Sequence, residues 1–493
     1  MPVQLLVGFI PGQSGHDIYN IMKVSTQKKI LATLLFLQFC LVAGFLYYEK
    51  NYWSKDFLVI AYLQSDRVKA SLSPYGHGFE KELASMFCRR HGLKPHWVSV
   101  ESISEGIAML QSGQANILIG GPHSAHESWD NTFRGPEYMS GKLLIVHNQW
   151  RYPIKSINDL CTTQVVVPGR LVFSHKVSKL QDDLGCMVEQ KHVLDAGEYF
   201  FDLLSNRKFR FGLVDELSYN LWHGFFPQVH KTHAFDTEYG YAWIWSSRYK
   251  DMDRLLTEFW DNMVEDTYLA GLKDRYFGFF PYEKDSYQLR HFVRAIENRL
   301  PLYAETIIEA SRKYNIDPLL LTALIYQESH FDPNAHSRTG VRGLVQMTAD
   351  TAEFMGVENR LDPAQSIMGA AAYLDYLKSR VEERGVSSWN KWFFTLAAYN
   401  QGLGHLLDAM ELAQRKDKDN LCWYQLKQVY PLLSYTRYFE TLPRGYARGF
   451  EAVNFVENIR YYYYILYSLI SLSRPEVEHL GGFIDSVPGN WPD

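Results

Sequence analysis

Short apolar segments alternate with amphipathic ones over the first half of the chain. Residues 57–62 (FLVIAY) form an apolar run bounded by polar residues, a pattern typical of a buried strand. Helical periodicity follows at 76–87 and 103–111. Further short apolar runs occur at 97–100, 117–120, 143–146, 165–169 and 211–216. Strands that alternate with helices predict an α/β domain with a mainly parallel sheet over residues 55–275.

From Ser286 onward the pattern becomes helical. The Asp-Pro pairs at 317–318 and 362–363 each resemble an N-cap followed by proline in the first helical turn. No extended strand alternation follows, so residues 295–470 are predicted to form a second, mainly α domain. Residues 474–493 are richer in Pro and Gly and are predicted to be a surface or disordered tail.

One uncharged apolar run, Ile30–Tyr48, has nearly the length needed to cross a bilayer. Lysines precede it, so the positive-inside rule places residues 1–29 in the cytoplasm and the rest on the periplasmic side of the membrane. The run lacks a small-residue cleavage site, which favours an uncleaved signal anchor in the inner membrane over a cleaved signal peptide. Attachment to the periplasmic face of the outer membrane is the alternative location. Met22 is an alternative start, which would make residues 1–21 a start-site artefact.

Composition narrows the possible functions. The chain has 493 residues, a net charge of −5 and 15% aromatic residues, which argues against wholesale disorder and against nucleic acid as a main partner. No C-x-x-C pair, H-E-x-x-H or phosphate-binding loop occurs, so we expect no metal and no cofactor. Cys161 and Cys186 could either pair in an oxidising compartment or remain separate buried thiols.

Three short segments in the α/β domain form an ordered set: Gly78-Phe-Glu, Gly113-Gln-Ala-Asn-Ile and Gly212-Leu-Val-Asp-Glu. Together they resemble the family 3 bacterial extracellular solute-binding proteins, which implies two lobes around a cleft for a small ligand. That family usually holds a ligand carboxylate with an arginine, but the equivalent stretch, 122–129, has none. We therefore expect a regulatory or positioning domain rather than an amino-acid receptor. His123 and His126 in that stretch are interpreted as surface residues.

Glu328 is the candidate for acid chemistry. In a helix it lies four residues after Leu324 and seven after Leu321, on the apolar face that they share. A carboxyl group on a packed face loses hydration, which raises its pKa and prepares it to donate a proton. The alternative is a helix-end glutamate that turns towards water.

Later motifs support the first interpretation. Glu328-Ser329, Gly343-Leu-Val-Gln346 and Ala398-Tyr-Asn-Gln-Gly402 resemble the lytic transglycosylase domain of the soluble-lytic-transglycosylase type, related to goose-type lysozyme. The resemblance implies a lysozyme-like fold. It also implies that Glu328 is the catalytic acid. The substrate-cleft positions that it implies are Ser337, Gln346, Tyr399 and Asn400.

This sequence departs from the family pattern at two positions. Val345 replaces the methionine of many relatives, and Phe455 stands where many have a tyrosine near the catalytic glutamate. The first change is apolar and should be mild. The second removes a hydroxyl group that would contact the glutamate.

The resemblance implies murein glycan strands as substrate and a peptidoglycan lytic transglycosylase as the activity. Glycoside hydrolases usually need two carboxyl groups, and the motifs supply only Glu328. One is sufficient if the muramic acid 6-hydroxyl attacks its own C1, which yields a 1,6-anhydro end without water. A lysozyme-like hydrolase using Asp332 or Glu353 as second carboxylate is the alternative within enzymes. A non-catalytic sensor of murein or muropeptides is the alternative outside them.

Overall fold

The computed structural model describes most of the chain from residue 57 onward. The described residues are 33–42, 57–63, 72–120, 128–168, 180–182, 184–193, 196–248, 250–265, 267–281, 286–337, 340–386 and 388–472, with 474, 477 and 483. The predicted anchor at 30–48 is therefore described only in part, and the tail and the stretch 122–129 lie almost wholly outside these residues.

The chain divides into two compact units, 1–58 with 88–96 and 59–87 with 97–493. In the first unit, residues 33–42 form a helix whose large apolar side chains are exposed. Within the described parts of the chain, no helix combines the length and the apolar character needed to span a bilayer. The elements below are those of the second unit, together with the strand and helix ends that reach into the first.

Two five-stranded sheets form the N-terminal half. The first has the order β2-β1-β3-β10-β4. Its strands are β1 (Phe57–Leu63), β2 (Lys94–Val100), β3 (Ile117–Ile119), β4 (Thr132–Arg134) and β10 (Ile244–Ser246). Strand β3 runs parallel to β1, whereas β10 runs antiparallel to both β3 and β4. Helices α1 (Phe79–Arg90) and α2 (Ile103–Ser112) connect the early strands.

The second sheet has the order β7-β6-β8-β5-β9. Its strands are β5 (Met139–Asn148), β6 (Val165–Pro168), β7 (Gln190–Val193), β8 (Phe211–Asp215) and β9 (Val229–Tyr241). Helices α3 (Glu198–Ser205) and α4 (Glu216–Trp222) belong to this sheet's part of the chain, as does a 3₁₀ turn at Ile157–Thr162. The chain enters this sheet after β4 and returns to the first sheet at β10, so each sheet is the centre of one lobe.

The predicted two-lobed α/β class is confirmed, but the sheets are mixed rather than mainly parallel. Strand β5 pairs antiparallel with both β8 and β9. The reason is the double crossing between lobes: the outgoing and returning chain run side by side, and the amide of Gly135 donates to the carbonyl of Trp243 at 2.9 Å. In the second lobe, Cys161 and Cys186 form a disulfide, which decides between the two alternatives for these thiols.

Helices make up the remainder of the described chain. They are α5 (Lys250–Glu265), α6 (Thr267–Phe277), α7 (Ser286–Asn298), α8 (Ala304–Tyr314), α9 (Pro318–Ser329), α10 (Ala349–Phe354), α11 (Pro363–Glu382), α12 (Ser388–Gln401), α13 (Leu403–Gln414), α14 (Trp423–Val429), α15 (Thr436–Phe439) and α16 (Gly449–Ser471). Short 3₁₀ segments occur at Leu300–Leu302 and Tyr430–Ser434. The only pairing of β type described after residue 286 is a single bridge between His336 and Arg342, so the mainly α prediction holds there.

Helix α16 is the longest of the described helices and is buried along most of its length. The hydroxyl of Tyr464 donates to the carbonyl of Leu221 in the second lobe at 3.0 Å. The hydroxyl of Ser468 donates to the carbonyl of Leu72 at 2.6 Å. One helix of the C-terminal half therefore anchors residues from both lobes.

Candidate active site

Helix α9 carries Glu328 in its last turn. The carboxylate of Asp317 caps the helix by accepting from the amide of Leu319 at 2.7 Å, as the Asp-Pro signal predicts. A second carboxylate oxygen of Asp317 accepts from the hydroxyl of Tyr463 at 2.8 Å. Residues 318–326 are all buried, so the helix is embedded on every side and not only on one face. Its end is fixed by His330, which adopts a left-handed conformation.

Glu328 emerges where this buried helix ends. Its side chain is half-buried, and burial raises the pKa of the carboxyl group from 4.5 to about 8. The last turn of a helix also presents unpaired carbonyl groups, whose partial negative charge disfavours a carboxylate. No side chain or amide of the described residues donates a hydrogen bond that would offset these two effects. The prediction of a proton-bearing glutamate agrees with this environment.

Tyr399 lies at the end of α12, close to Glu328. Its ring stacks on Phe455 of α16, with centroids 6.3 Å apart and planes within 8°. Its hydroxyl donates to the carbonyl of Val345 at 3.2 Å. Burial, followed by the nearby Glu328 carboxyl, raises the pKa of Tyr399 well above its usual value. Phe455 thus supports the tyrosine as an apolar platform and carries no hydroxyl group.

The loop that carries Gln346 is shaped by its own backbone. Gly343 has a φ of 94°, and a Cβ there would stand 3.0 Å from the carbonyl of Arg360, so only glycine fits without strain. Gln346 itself has a φ of 47°. Its amide nitrogen donates to the carbonyls of Gly343 at 2.7 Å and Ala335 at 3.1 Å. These bonds occupy its amide nitrogen, whereas its side-chain oxygen accepts no hydrogen bond from the residues that the structure describes.

Ser337 and Asn400 are the other two predicted cleft residues. The hydroxyl of Ser337 accepts from the amide of Val341 at 2.9 Å, which closes the turn before the Gln346 loop. The amide oxygen of Asn400 accepts from the side chain of Gln401 at 2.9 Å. The structure therefore places the Glu328 carboxyl near enough to Tyr399 to raise the pKa of the tyrosine. The Gln346 loop is joined to Tyr399 by the hydrogen bond to the carbonyl of Val345. The hydroxyl of Ser337 stabilises its own turn through the bond from Val341.

The two alternative carboxylates have other surroundings. Asp332 accepts from the amide of Asn334 at 2.9 Å, which stabilises the turn after α9. Asp332 also lies near Tyr303, the residue before α8. Burial, followed by the Asp332 carboxylate, raises the pKa of Tyr303. Glu353 is exposed on α10. Of these three carboxyl groups, only Glu328 contributes to the raised pKa of Tyr399.

Two residues, of which one contacts this site, escaped the sequence analysis. Tyr373 of α11 lies with its ring 5.7 Å from that of Tyr399, and its spacing in GAAAYLDYL was the available signal. Arg460 of α16 is buried and pairs with Asp274 at 3.2 Å. Arg460 immediately precedes the uncharged run 461–472, and that position was the signal for it, because a buried charge requires a partner.

His123 and His126 lie outside the described residues. Within the described ranges, no group of three or more His, Cys, Asp or Glu side chains is placed to hold a metal ion.

The second half of the chain matches a known family. The family model for the transglycosylase SLT domain matches residues 305–422, which include Glu328, the Gln346 loop and Tyr399.

Relatives also match over most of the chain. Membrane-bound lytic murein transglycosylase F of Shewanella halifaxensis is 32% identical over 410 residues, which cover 82% of this chain and 85% of the relative. The protein of the same name from Photobacterium profundum is 33% identical and covers 78% of this chain and 75% of its own. These alignments extend across both halves, in agreement with the resemblance of each half to a separate family.

Solved structures resemble the N-terminal half. An ancestral arginine-binding protein bound to arginine is 19% identical and covers 45% of this chain and 99% of its own, with a TM-score of 0.39. The GluR0 ligand-binding core from Nostoc punctiforme in complex with glutamate is 16% identical and covers 45% of this chain and 99% of its own, with a TM-score of 0.37. Because both TM-scores are below 0.5, the description of this half rests on the strand order given above and not on these structures. The identity and coverage of the full-length relatives are decisive: the chain belongs to the family of the membrane-bound lytic murein transglycosylases F.

Proposed function

We propose that this lytic transglycosylase cleaves the β-1,4 bond between N-acetylmuramic acid and N-acetylglucosamine in murein, and that Glu328 alone performs the proton transfers. In the first step the protonated Glu328 gives its proton to the bridging oxygen as the C1–O bond breaks. In the second step the Glu328 carboxylate takes the proton of the muramic acid 6-hydroxyl, whose oxygen bonds to C1. The products are an N-acetylglucosamine 4-hydroxyl and a 1,6-anhydro ring, and no water is consumed.

The observation that carries this proposal is the raised pKa of Glu328, to about 8, next to Tyr399. A group with this pKa is protonated at neutral pH, yet it remains a competent base after it has lost its proton. Tyr399 cannot act as a second acid, because its own pKa is raised and its hydroxyl is engaged with Val345. Tyr399 and Asn400 are assigned to orient the sugar beside Glu328, with Gln346 and Ser337 on the opposing loop.

The mass of the new sugar end tests the reaction. An anhydro end is lighter by one water than a reducing end, and digestion in ¹⁸O-water labels only a hydrolysis product. We expect unlabelled anhydro ends from the wild-type chain and none from Glu328→Gln. Glu353→Gln, a matched change of an exposed carboxylate, should digest murein normally. Labelled reducing ends would identify a hydrolase instead, and a fully active Glu328→Gln would remove Glu328 from the mechanism.

We also propose that the solute-binding-like domain binds a small murein-derived ligand, such as a muropeptide, and regulates or positions the catalytic domain. The support for the regulatory or positioning role is a charge network between α6, at the end of the solute-binding-like domain, and α16 of the catalytic half. The guanidinium of Arg460 donates to the carboxylate of Glu457 at 2.7 Å and to the backbone carbonyl of Asp274 at 2.6 Å. Lys427 pairs with both of these acidic side chains. The same helix carries Phe455 beneath Tyr399.

Calorimetry on the full chain tests this role. We expect muropeptides to bind and to change the rate of murein digestion, and we expect no tight binding of free amino acids. Tight amino-acid binding, or muropeptide binding without any change in rate, would contradict the proposal.

The cell envelope is the location that the family name indicates. We propose that residues 30–48 anchor the enzyme in the inner membrane and that both domains face the periplasm. Protease accessibility in spheroplasts tests the orientation: both domains should be cleaved from outside, and protection of either would refute it.

A further inference from the structure

A row of four aromatic side chains leads away from the proposed catalytic site. The ring of Tyr373 lies 5.7 Å from that of Tyr399. The ring of Tyr376 lies 6.3 Å from Tyr373, with the two planes within 13°. The ring of Phe354 lies 5.2 Å from Tyr376. These residues, Tyr399, Tyr373, Tyr376 and Phe354, are called the aromatic row below.

Helix geometry explains why the row continues the cleft. Gly369, Tyr373 and Tyr376 lie about one turn apart on α11 and so share one face of that helix. At its start this face meets the Gln346 loop, because a Cβ on Gly369 would stand 3.1 Å from the terminal methyl group of Met347. The row therefore begins beside the loop and Tyr399 and follows α11 outward.

The outer end of the row is open to water. Phe354 is 60% exposed, whereas its neighbour Ala352 in the same short helix is 5% exposed and anchors that helix. Tyr376 is half-buried, and the guanidinium of Arg380 lies 5.3 Å from its ring centroid. Arg380 is held by Glu383 at 3.0 Å. The outer end thus combines an exposed apolar ring with an exposed guanidinium group, a pairing that suits a ligand with both apolar and polar surface.

We propose that the aromatic row is a glycan-binding subsite, in which N-acetylhexosamine rings of the strand stack on Tyr376 and Phe354 beyond the bond that is cleaved. The C–H faces of a sugar pack on aromatic rings, and Arg380 donates hydrogen bonds to sugar hydroxyl or carboxyl groups. Continuity with Tyr399 identifies the occupant as the substrate strand itself. This inference rests on the proposed function, since it assigns the strand's path from Glu328.

Substitution of Phe354 separates stacking from packing. Phe354→Leu keeps an apolar side chain but loses the ring, whereas Phe354→Trp keeps a ring. Each is assayed with long glycan strands and with a short fragment that has one cleavable bond and cannot reach the outer end. We expect Phe354→Leu to raise KM for long strands about tenfold, with kcat unchanged, and to leave the short fragment unaffected. Phe354→Trp should retain the wild-type KM.

Two controls keep this test independent of folding and of the reaction. Tyr199→Ala removes an exposed aromatic side chain from the second lobe and should change neither substrate's KM. Thermal unfolding of Phe354→Leu should match that of the wild type. Equal losses on long and short substrates, or full activity of Phe354→Leu on both, would overturn the subsite. Failure of the proposed function would instead change the wild-type product, whatever residue stands at 354.

Discussion

The raised pKa of Glu328 predicts a specific link between pH, stability and activity. In the unfolded chain the carboxyl ionises near 4.5, and in the folded protein near 8. Between these values the unfolded state loses a proton that the folded state keeps, so folding is progressively disfavoured as pH rises. Glu328→Gln removes the ionisation. The variant should therefore gain stability over the wild type from pH 5 upward and level off above pH 8.

The structure sets the size of this effect. A pKa that rises from 4.5 to about 8 corresponds to an upper limit of about 5 kcal/mol, at about 1.4 kcal/mol for each unit. The side chain is only half-buried, so water reduces that value, and we expect about 2 kcal/mol between pH 5 and pH 9. Hydrogen exchange of the α9 amides measures the local free energy of opening even if the two domains unfold separately.

Activity provides a second readout of the same group. Because the reaction begins with the protonated acid, kcat/KM of the wild type should fall about tenfold per pH unit above about pH 8. Glu353→Gln, the same change at an exposed carboxylate, is the matched control. A constant stability difference between Glu328→Gln and the wild type from pH 5 to 9 would refute the reasoning. Activity that stays level beyond pH 9 would do the same.

Three further substitutions test the supports of the site. Tyr399→Phe loses the bond to Val345, so stability should fall by about 1 kcal/mol and turnover about tenfold, measured by thermal unfolding and murein digestion. Gly343→Ala forces a side chain into a left-handed backbone against a carbonyl and should cost about 1–3 kcal/mol in chemical denaturation. Arg460→Met leaves Asp274 with fewer partners in a buried position, and a loss of about 3 kcal/mol should appear as a lower Tm. Unchanged stability in any of these variants would contradict the contact on which it depends.

Local signals were sufficient for the elements that carry the chemistry. The Asp-Pro pairs at 317–318 and 362–363 marked the starts of α9 and α11, because capping is decided by neighbouring residues. The strands at 57–62 and 143–146 followed from apolar runs that need burial. The face of Glu328 was predicted from spacing, although the alternative of a solvent-facing side chain could be decided only by the residues that surround α9.

Non-local arrangements were beyond the sequence. Strand β10 joins the first sheet between β3 and β4, and no pattern within three residues can specify neighbours more than a hundred positions away. Strand β9 was missed because its alternating polar residues, HKTHAFDTE, lack the apolar run used to recognise the others. Arg460 and Asp274 are 186 residues apart in the sequence. The sequence therefore indicates that a buried Arg460 needs an acidic partner, but it does not indicate which residue that partner is.

The close fit of α16 against the lobes limits how this enzyme can be recombined. Ile465 packs where Gly224 has no side chain, so that a Cβ at 224 would collide with it, and the hydroxyl of Tyr75 donates to the carbonyl of Arg460 at 2.7 Å. In a chimaera that takes its catalytic half from one homologue and its lobes from another, the surface of α16 and the lobe surfaces that pack on it would not be complementary. Exchange should succeed only when the residues at positions 75 and 224 come from the same homologue as the helix. Gly224, Tyr75 and α16 therefore have to be exchanged together.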